Sequence, residues 1–329
     1  MKLFAAIDIG SYEVEMKIFQ ITSGKGIKEI DCVCHRMELG KDVYRDGRIG
    51  VEMTDELCRV LNDFVRIMKG YRVDDWRVCA TSAVREAGNQ LVFLDRVKRH
   101  TGLEVEVLSN ASQRFMDYKS IASRENEFNR IIQKGTAIVD VGGGSIQISL
   151  FDKDRLVASQ NMKIGNLRLR ERMMNEGVSL KHYETLLTEV VKNEFLSYKK
   201  LYLKDRVISN LIVVGDHIGD AVHKNVMTRA DFLNFYDDMI YRSDEDAAGR
   251  CEVPEDVISV LRPSLVVYRC FLEAADVENI WMPGLHLTDG MAYEYAQQNR
   301  LLKLGHDFDE DILAAARNAA LITFGSISC

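Results

Sequence analysis

The sequence predicts an α/β protein made of two similar halves with a cleft between them. Three observations predict it. The stretch AIDIGSYEVEMKIF (6–19) recurs without gaps as IVDVGGGSIQISLF (138–151). Each copy is followed by alternating helical and extended patterns. A chain of 329 residues is long enough for about two domains, each able to bury its own core.

In the repeat, Asp8 falls on Asp140, Gly10 on Gly142, Val14 on Ile146, Met16 on Ile148, Ile18 on Leu150 and Phe19 on Phe151. Each copy opens with a short apolar run ending in Asp-x-Gly. A small-residue turn follows, and then apolar residues at every second position, the period of a strand with one buried face. A further turn (Ser23-Gly24-Lys25-Gly26; Asp152-Lys153-Asp154) leads to a third apolar run, 27–34 or 156–159. Each half therefore begins with a three-stranded meander.

Between the copies, Leu57, Val60, Leu61, Phe64, Val65 and Met68 have helical spacing within 55–69. The spacing then predicts a strand over 76–80, a helix over 90–100, a strand over 104–108 and a helix over 112–123. The polar segment 124–135 is the expected boundary. The second half continues with a helix over 180–202, a strand over 211–214, helical stretches to about 275, a strand over 279–282 and a helix over 288–302. The expected domains are thus 1–125 and 135–302. The segment 303–329 has an acidic first turn and helical spacing over 306–320. It reads as the opening of a C-terminal helical region present without the rest, whose apolar surface suggests a homodimer.

Composition narrows the function. The chain is 47% apolar and 28% charged, an ordinary globular balance, and its apolar runs are too short to span a bilayer. The opening MKLFAAIDIG does not read as a secretion signal, because acid and glycine arrive by position 10, so none is expected. Seven cysteines, an odd number with no CxxC pair, suit reduced thiols in the cytoplasm. A net charge of −7 argues against a general nucleic-acid binder. A polyanion site must therefore be local, and Lys163, Arg168, Arg170 and Arg172 around Gly165 offer such a basic path. The histidines His35, His217, His286 and His306 are scattered without metal spacing.

The duplicated turn is the candidate site. Glycines let backbone N–H groups converge on an anion because no Cβ blocks the approach. Gly142-Gly143-Gly144-Ser145 offers such a nest with a hydroxyl added, and Gly10-Ser11 a smaller one. Asp8 and Asp140, ending the preceding strands, can hold Mg²⁺ beside a bound phosphate. Two such turns facing one cleft would grip the phosphates of one ligand from both sides. No GxxxxGK[ST] motif occurs, and a strand rather than a helix follows the glycines, so the turn is neither a P-loop nor a Rossmann turn.

These residues resemble a known family. ATSAVREAGN (80–89), VDVGGGSIQ (139–147), the Asp8-Ile9-Gly10-Ser11 turn and LTDGMAYEY (287–295) are similar to the exopolyphosphatase/guanosine pentaphosphatase (Ppx/GppA) family, over about residues 3–300. The resemblance implies two ribonuclease-H-like (actin-like) domains. It implies Mg²⁺- or Mn²⁺-dependent hydrolysis of terminal phosphoanhydride bonds, with polyphosphate or a guanosine nucleotide as ligand. It implies phosphate contacts from Gly10, Ser11, Arg85, Gly142, Gly143, Gly144 and Ser145, with Asp140 as a catalytic aspartate. Arg85 suits this role because its planar fork binds phosphate bidentately.

The departures bear on catalysis. The family's Ile-Ser-Gly-x-Glu-Glu-Ala corresponds to Leu108-Ser109-Asn110-Ala111-Ser112-Gln113-Arg114, so Ser112 and Gln113 occupy two catalytic carboxylate positions. Gln147 occupies a third. None of the three can take a proton near neutral pH, and loss of a general base costs about 10²–10⁴-fold in rate. Glu13 and Asp216 are possible substitutes. Three functions follow: a phosphoanhydride hydrolase with weakened activity, a phosphate-binding regulatory protein, or a sugar or acetate kinase of the same superfamily with an adenosine pocket near Gly215.

Overall fold

The computed structural model describes residues 1–175, 180–203, 206–215 and 217–302. The expected helix over 306–320, the homodimer surface attached to it, and Asp216 lie outside the described residues. By their contacts the described residues fall into two units, 1–124 with 286–302, and 125–285.

The first unit is built on a sheet of β1 (Lys2–Ile9), β2 (Glu13–Thr22), β3 (Gly26–Arg36), β4 (Asp75–Ala80) and β5 (Glu106–Val107), in the order β3-β2-β1-β4-β5. The first three strands form the expected antiparallel meander, and β4 runs parallel to β1. Asp8 pairs with Glu15, Ala6 with Lys17 and Phe4 with Phe19, so these six side chains share one face. The opposite face carries Ala5, Ile7, Ile9, Val14, Met16 and Ile18. It is covered by Leu57, Leu61 and Phe64 of the helix Val51–Tyr71, whose i, i+4, i+7 stripe is fully buried.

The second unit repeats the plan. Its strands are β6 (Thr136–Val141), β7 (Ile146–Asp152), β8 (Arg155–Met162), β9 (Asn210–Val214), β10 (Val226–Thr228) and β11 (Asn279–Trp281). Their order, β8-β7-β6-β9-β11, matches that of the first sheet, with β10 added at the edge. Asp140 pairs with Gln147 as Asp8 pairs with Glu15. The internal repeat is therefore structural, register included.

Some expectations change. The helix Leu287–Gln298 belongs to the first unit, not to the second as the expected span 135–302 had it. It packs on the helix Asn110–Ala122 so closely that a Cβ on Gly290 would lie 2.1 Å from the Met116 carbonyl oxygen, and Tyr295 stacks on Phe4 at 4.2 Å. Glu294 fixes the contact through Lys119 (2.7 Å) and Arg77. The polar segment 124–135 is no open linker. It contains the helix Glu125–Ile131, because Phe128 packs edge-on against Phe151. The helix expected over 180–202 is α-helical only to Tyr198, with a π-helical turn over Lys199–Leu203. The short helices Leu39–Asp46, Ser82–Glu86 and Asn166–Asn175 have no sequence counterpart above. Among the described residues no helix is long and apolar enough to cross a membrane, and the six cysteines are free.

Candidate functional site

The second unit's glycine turn is held by its carbonyls. Gly142 N–H closes it onto the Ser145 carbonyl at 3.0 Å. The Gly142 oxygen accepts from Asn166 N–H and the Gly143 oxygen from Arg168 N–H, each at 3.0 Å, and the Gly144 oxygen accepts from Arg168 Nε at 3.0 Å. The start of the helix Asn166–Asn175 thus finds its missing acceptors in the turn. In a trans peptide the C=O and the following N–H point opposite ways. With three successive carbonyls tied to this helix, the N–H groups of Gly143, Gly144 and Ser145 are turned to its far side. Three consecutive amides aimed together form an anion nest.

Two further glycines shape this turn. A Cβ on Gly165 would lie 2.3 Å from Gly143 C and 2.4 Å from the oxygens of Gly142 and Gly143. Gly215, directly after β9, has φ +78° and would place a Cβ 2.3 Å from Asp140 Oδ1. Asp140 and Gln147 are both buried, with Gln147 Nε2 3.4 Å from Asp140 Oδ2. Gln147 Oε1, buried as well, has no hydrogen-bond partner among the described residues. Two of the four residues of the expected basic path are committed elsewhere, whereas Lys163 and Arg172 are exposed. Arg168 holds the turn, and Arg170 is buried on Glu171 (2.8 Å) and Ser259 (2.9 Å).

The first unit's turn closes with the equivalent bond, Gly10 N–H to the Glu13 carbonyl at 2.9 Å, and a Cβ on Gly10 would lie 2.8 Å from that oxygen. Its carbonyls are also tied, Ser11 to Gly40 N–H (2.8 Å) and Tyr12 to Met37 N–H (2.9 Å), next to the helix Leu39–Asp46. The Ser11 hydroxyl is buried between Tyr44 (2.7 Å) and Ser82 (2.8 Å), so it braces the turn. Ser82 opens the short helix that carries Arg85. Arg85 Nη1 donates to the Leu108 carbonyl (2.6 Å) and reaches Gln113 Oε1 (3.5 Å). Ser109 caps the helix, its Oγ accepting from the Ser112 N–H at 3.0 Å and lying 2.8 Å from the Ser112 hydroxyl. Gly10, Ser11, Arg85, Ser112 and Gln113 are therefore linked through Ser82 and Leu108. Glu13 takes the Cys34 thiol (3.2 Å) on the outer strand β3.

Neither turn makes a metal cage of its own. Among the described residues no cluster of three or more His, Cys, Asp or Glu side chains could hold an ion. Asp140 is joined by an amide that donates to it. Within the second turn, Asp140 is thus a lone carboxylate with one oxygen already taken by an amide, too few protein ligands to hold Mg²⁺ without phosphate and water. An ion entering with polyphosphate would be part of the substrate.

The model of the Ppx/GppA phosphatase family matches residues 17–298. The chain belongs to this family. Among curated Ppx/GppA relatives, exopolyphosphatase 2 of Mycobacterium tuberculosis is 27% identical over 180 residues, 52% of this chain and 54% of that protein. The bifunctional 3-dehydroquinate synthase/phosphatase of Fusobacterium nucleatum is 26% identical over 180 residues, 52% of this chain and 26% of that protein. The chain thus spans about half the length, or less, of the curated relatives it matches. Two crystal structures share the two-domain α/β fold. The Ppx/GppA family member of Aquifex aeolicus has a TM-score of 0.72 at 22% identity, covering 91% of this chain and 98% of that one. An exopolyphosphatase of Cytophaga hutchinsonii has a TM-score of 0.78 at 17% identity, covering 90% of this chain and 98% of that one.

Within the family fold, sequence reasoning missed the glycines that support the second turn. Gly165 and Gly215 matter only through what packs on them. It also missed a part-buried pair in the first unit. His286 Nδ1 lies 2.6 Å from Glu15 Oε2, 271 positions away. Burial is the largest single influence and opposes the charge on both groups, but the attraction and hydrogen bond between the partners, joined by Lys17 and Thr288 at Glu15 and by Asp289 at His286, together outweigh it, so His286 is pushed up to about 9 and Glu15 is held down at about 2. The imidazolium's contribution to stability is full below pH 6.5 and is lost as pH rises through about 9. The carboxylate's contribution is full above pH 4.5 and is lost as pH falls toward 2. Thermal unfolding followed from pH 3 to 10 should show both limbs in the natural chain, and Glu15→Gln should flatten them relative to it. Parallel curves would contradict the assignment.

Proposed function

We propose that the chain is a phosphoanhydride hydrolase of low turnover, cytoplasmic, acting on the terminal phosphate of linear polyphosphate or guanosine pentaphosphate. The observation that supports it most is the glycine turn with the N–H groups of Gly143, Gly144 and Ser145 turned together away from the helix that holds their carbonyls. These amides take the oxygens of the terminal phosphoryl group. The buried Gln147 Oε1 accepts a hydrogen bond from the attacking water, and its Nε2 keeps the amide oriented on Asp140. The water oxygen bonds to the terminal phosphorus, the bridging P–O bond breaks, the leaving phosphate keeps that electron pair, and Asp140 accepts the water proton. Turnover is low because Ser112 and Gln113 stand where the family carries carboxylates, which removes a factor of about 10²–10⁴.

Phosphate release from tripolyphosphate, measured beside calorimetric binding, tests this. Asp140→Asn should abolish release and leave affinity within a few-fold. Unchanged release in that variant would overturn the assignment. A second reading, a phosphate-binding regulator without chemistry, is favoured by Gln113 accepting from Arg85 and Ser112 being bound up with the Ser109 cap of its own helix. Binding without any release by the natural chain would select it.

A further inference from the structure

The sheet face that carries Asp8 holds a group the reaction above leaves unused. Glu15 stands directly across from Asp8, two residues in from the Gly10 turn. Its carboxylate is fully engaged, with Oε1 accepting from the Thr288 hydroxyl and Oε2 bonded to His286 Nδ1. Around it, Lys17 pairs with Asp289 (2.9 Å) and Glu29 (3.2 Å), and Asp289 also accepts from His286 N–H (2.9 Å). The Cys32 thiol lies 4.0 Å from Glu15 Oε2. The side chains of Glu15 and Lys17 are nearly closed off, at 8% and 6% exposure, whereas the imidazole keeps 35%. A carboxylate that fixes Nδ1 of a partly exposed imidazole leaves Nε2 as an oriented donor.

The repeat gives this arrangement its place. Glu15 is the counterpart of Gln147, as Asp8 is of Asp140. A bare carboxylate at that position would repel a polyanion. Here it is cancelled by His286 and presents an N–H in its stead. We infer that His286, positioned by Glu15, contacts a phosphate oxygen of the ligand held at the first turn. The inference rests on the reading that the turns take phosphate. Asp8, Glu15, Glu29 and Asp289 outnumber Lys17 and His286, so the contribution is one directed bond rather than a basic field.

Histidine-selective labelling and NMR test it, with tripolyphosphate as the probe and H286Q assigning the signal. The His286 resonance of the natural chain should titrate near pH 9, move toward 6.5 in Glu15→Gln, and shift on adding tripolyphosphate. H286Q should raise the tripolyphosphate Kd roughly 10-fold, the loss of about 1.4 kcal/mol. If the natural chain binds tripolyphosphate while its His286 signal stays unmoved and H286Q binds equally well, the inference falls and the phosphate reading stands. If the natural chain does not bind at all, both fall. Where H286Q fails to fold, the resonance that Glu15→Gln moves toward 6.5 is assigned to His286, and its response in the natural chain decides the matter.

Discussion

Restoring three carboxylates together, with Ser112→Glu, Gln113→Glu and Gln147→Glu, should raise phosphate release about 10²–10⁴-fold over the natural chain. The sites differ in how readily they accept the change. Ser112 is the third residue of the helix capped by Ser109, so a glutamate there completes a capping box and meets the positive end of the helix dipole. Gln113 already accepts from Arg85, and a carboxylate would turn that contact into an ion pair. Gln147 is 2% exposed beside Asp140, so a second carboxylate there shares a buried site with a like charge, which raises the pKa of one of them. The double change at 112 and 113 should therefore recover most of the rate without loss of stability, and the third should carry a stability cost. Release by both variants no faster than by the natural chain would mean that the cradle lacks more than its bases.

Gly165→Ala should weaken tripolyphosphate binding by at least about 10-fold and remove phosphate release. The methyl group would lie within 2.4 Å of backbone atoms of Gly142 and Gly143, and backbone cannot swing aside as a side-chain tip can. Either the turn or the start of the helix Asn166–Asn175 must move, and the three carbonyl bonds that aim the amides are lost with it. Gly249→Ala is the control. Gly249 lies in the helix Asp244–Cys251 of the same unit, with nothing within 4 Å of an added Cβ, and the change should stabilise that helix by up to about 1 kcal/mol. Equal binding by the two variants would show that the turn's geometry does not depend on Gly165.

Both meanders were legible because their signals are local. The period-two pattern through Val14, Met16 and Ile18, and again through Ile146, Ile148 and Leu150, sets each strand's buried face, and a one-residue slip would turn it outward. The glycine turns were legible for the same reason. The helices that hold them were not. Asn166–Asn175 is rich in arginine, and its start is fixed by turn carbonyls some 24 positions earlier rather than by a cap of its own. Ser11 has the residue type of a phosphate ligand, but only packing shows its hydroxyl spent on Tyr44 and Ser82. Helix Leu287–Gln298 follows the second half in sequence, yet Gly290 lets it fit against Met116 in the first. His286 looked like one of several scattered histidines because its partner, Glu15, comes from the other end of the chain.

The amide resonances of Gly143, Gly144 and Ser145, followed while tripolyphosphate is added, put the weight where it belongs. All three should shift together and saturate with the calorimetric Kd. Should the ligand bind and move other amides while these three stay in place, the turn is not the phosphate cradle.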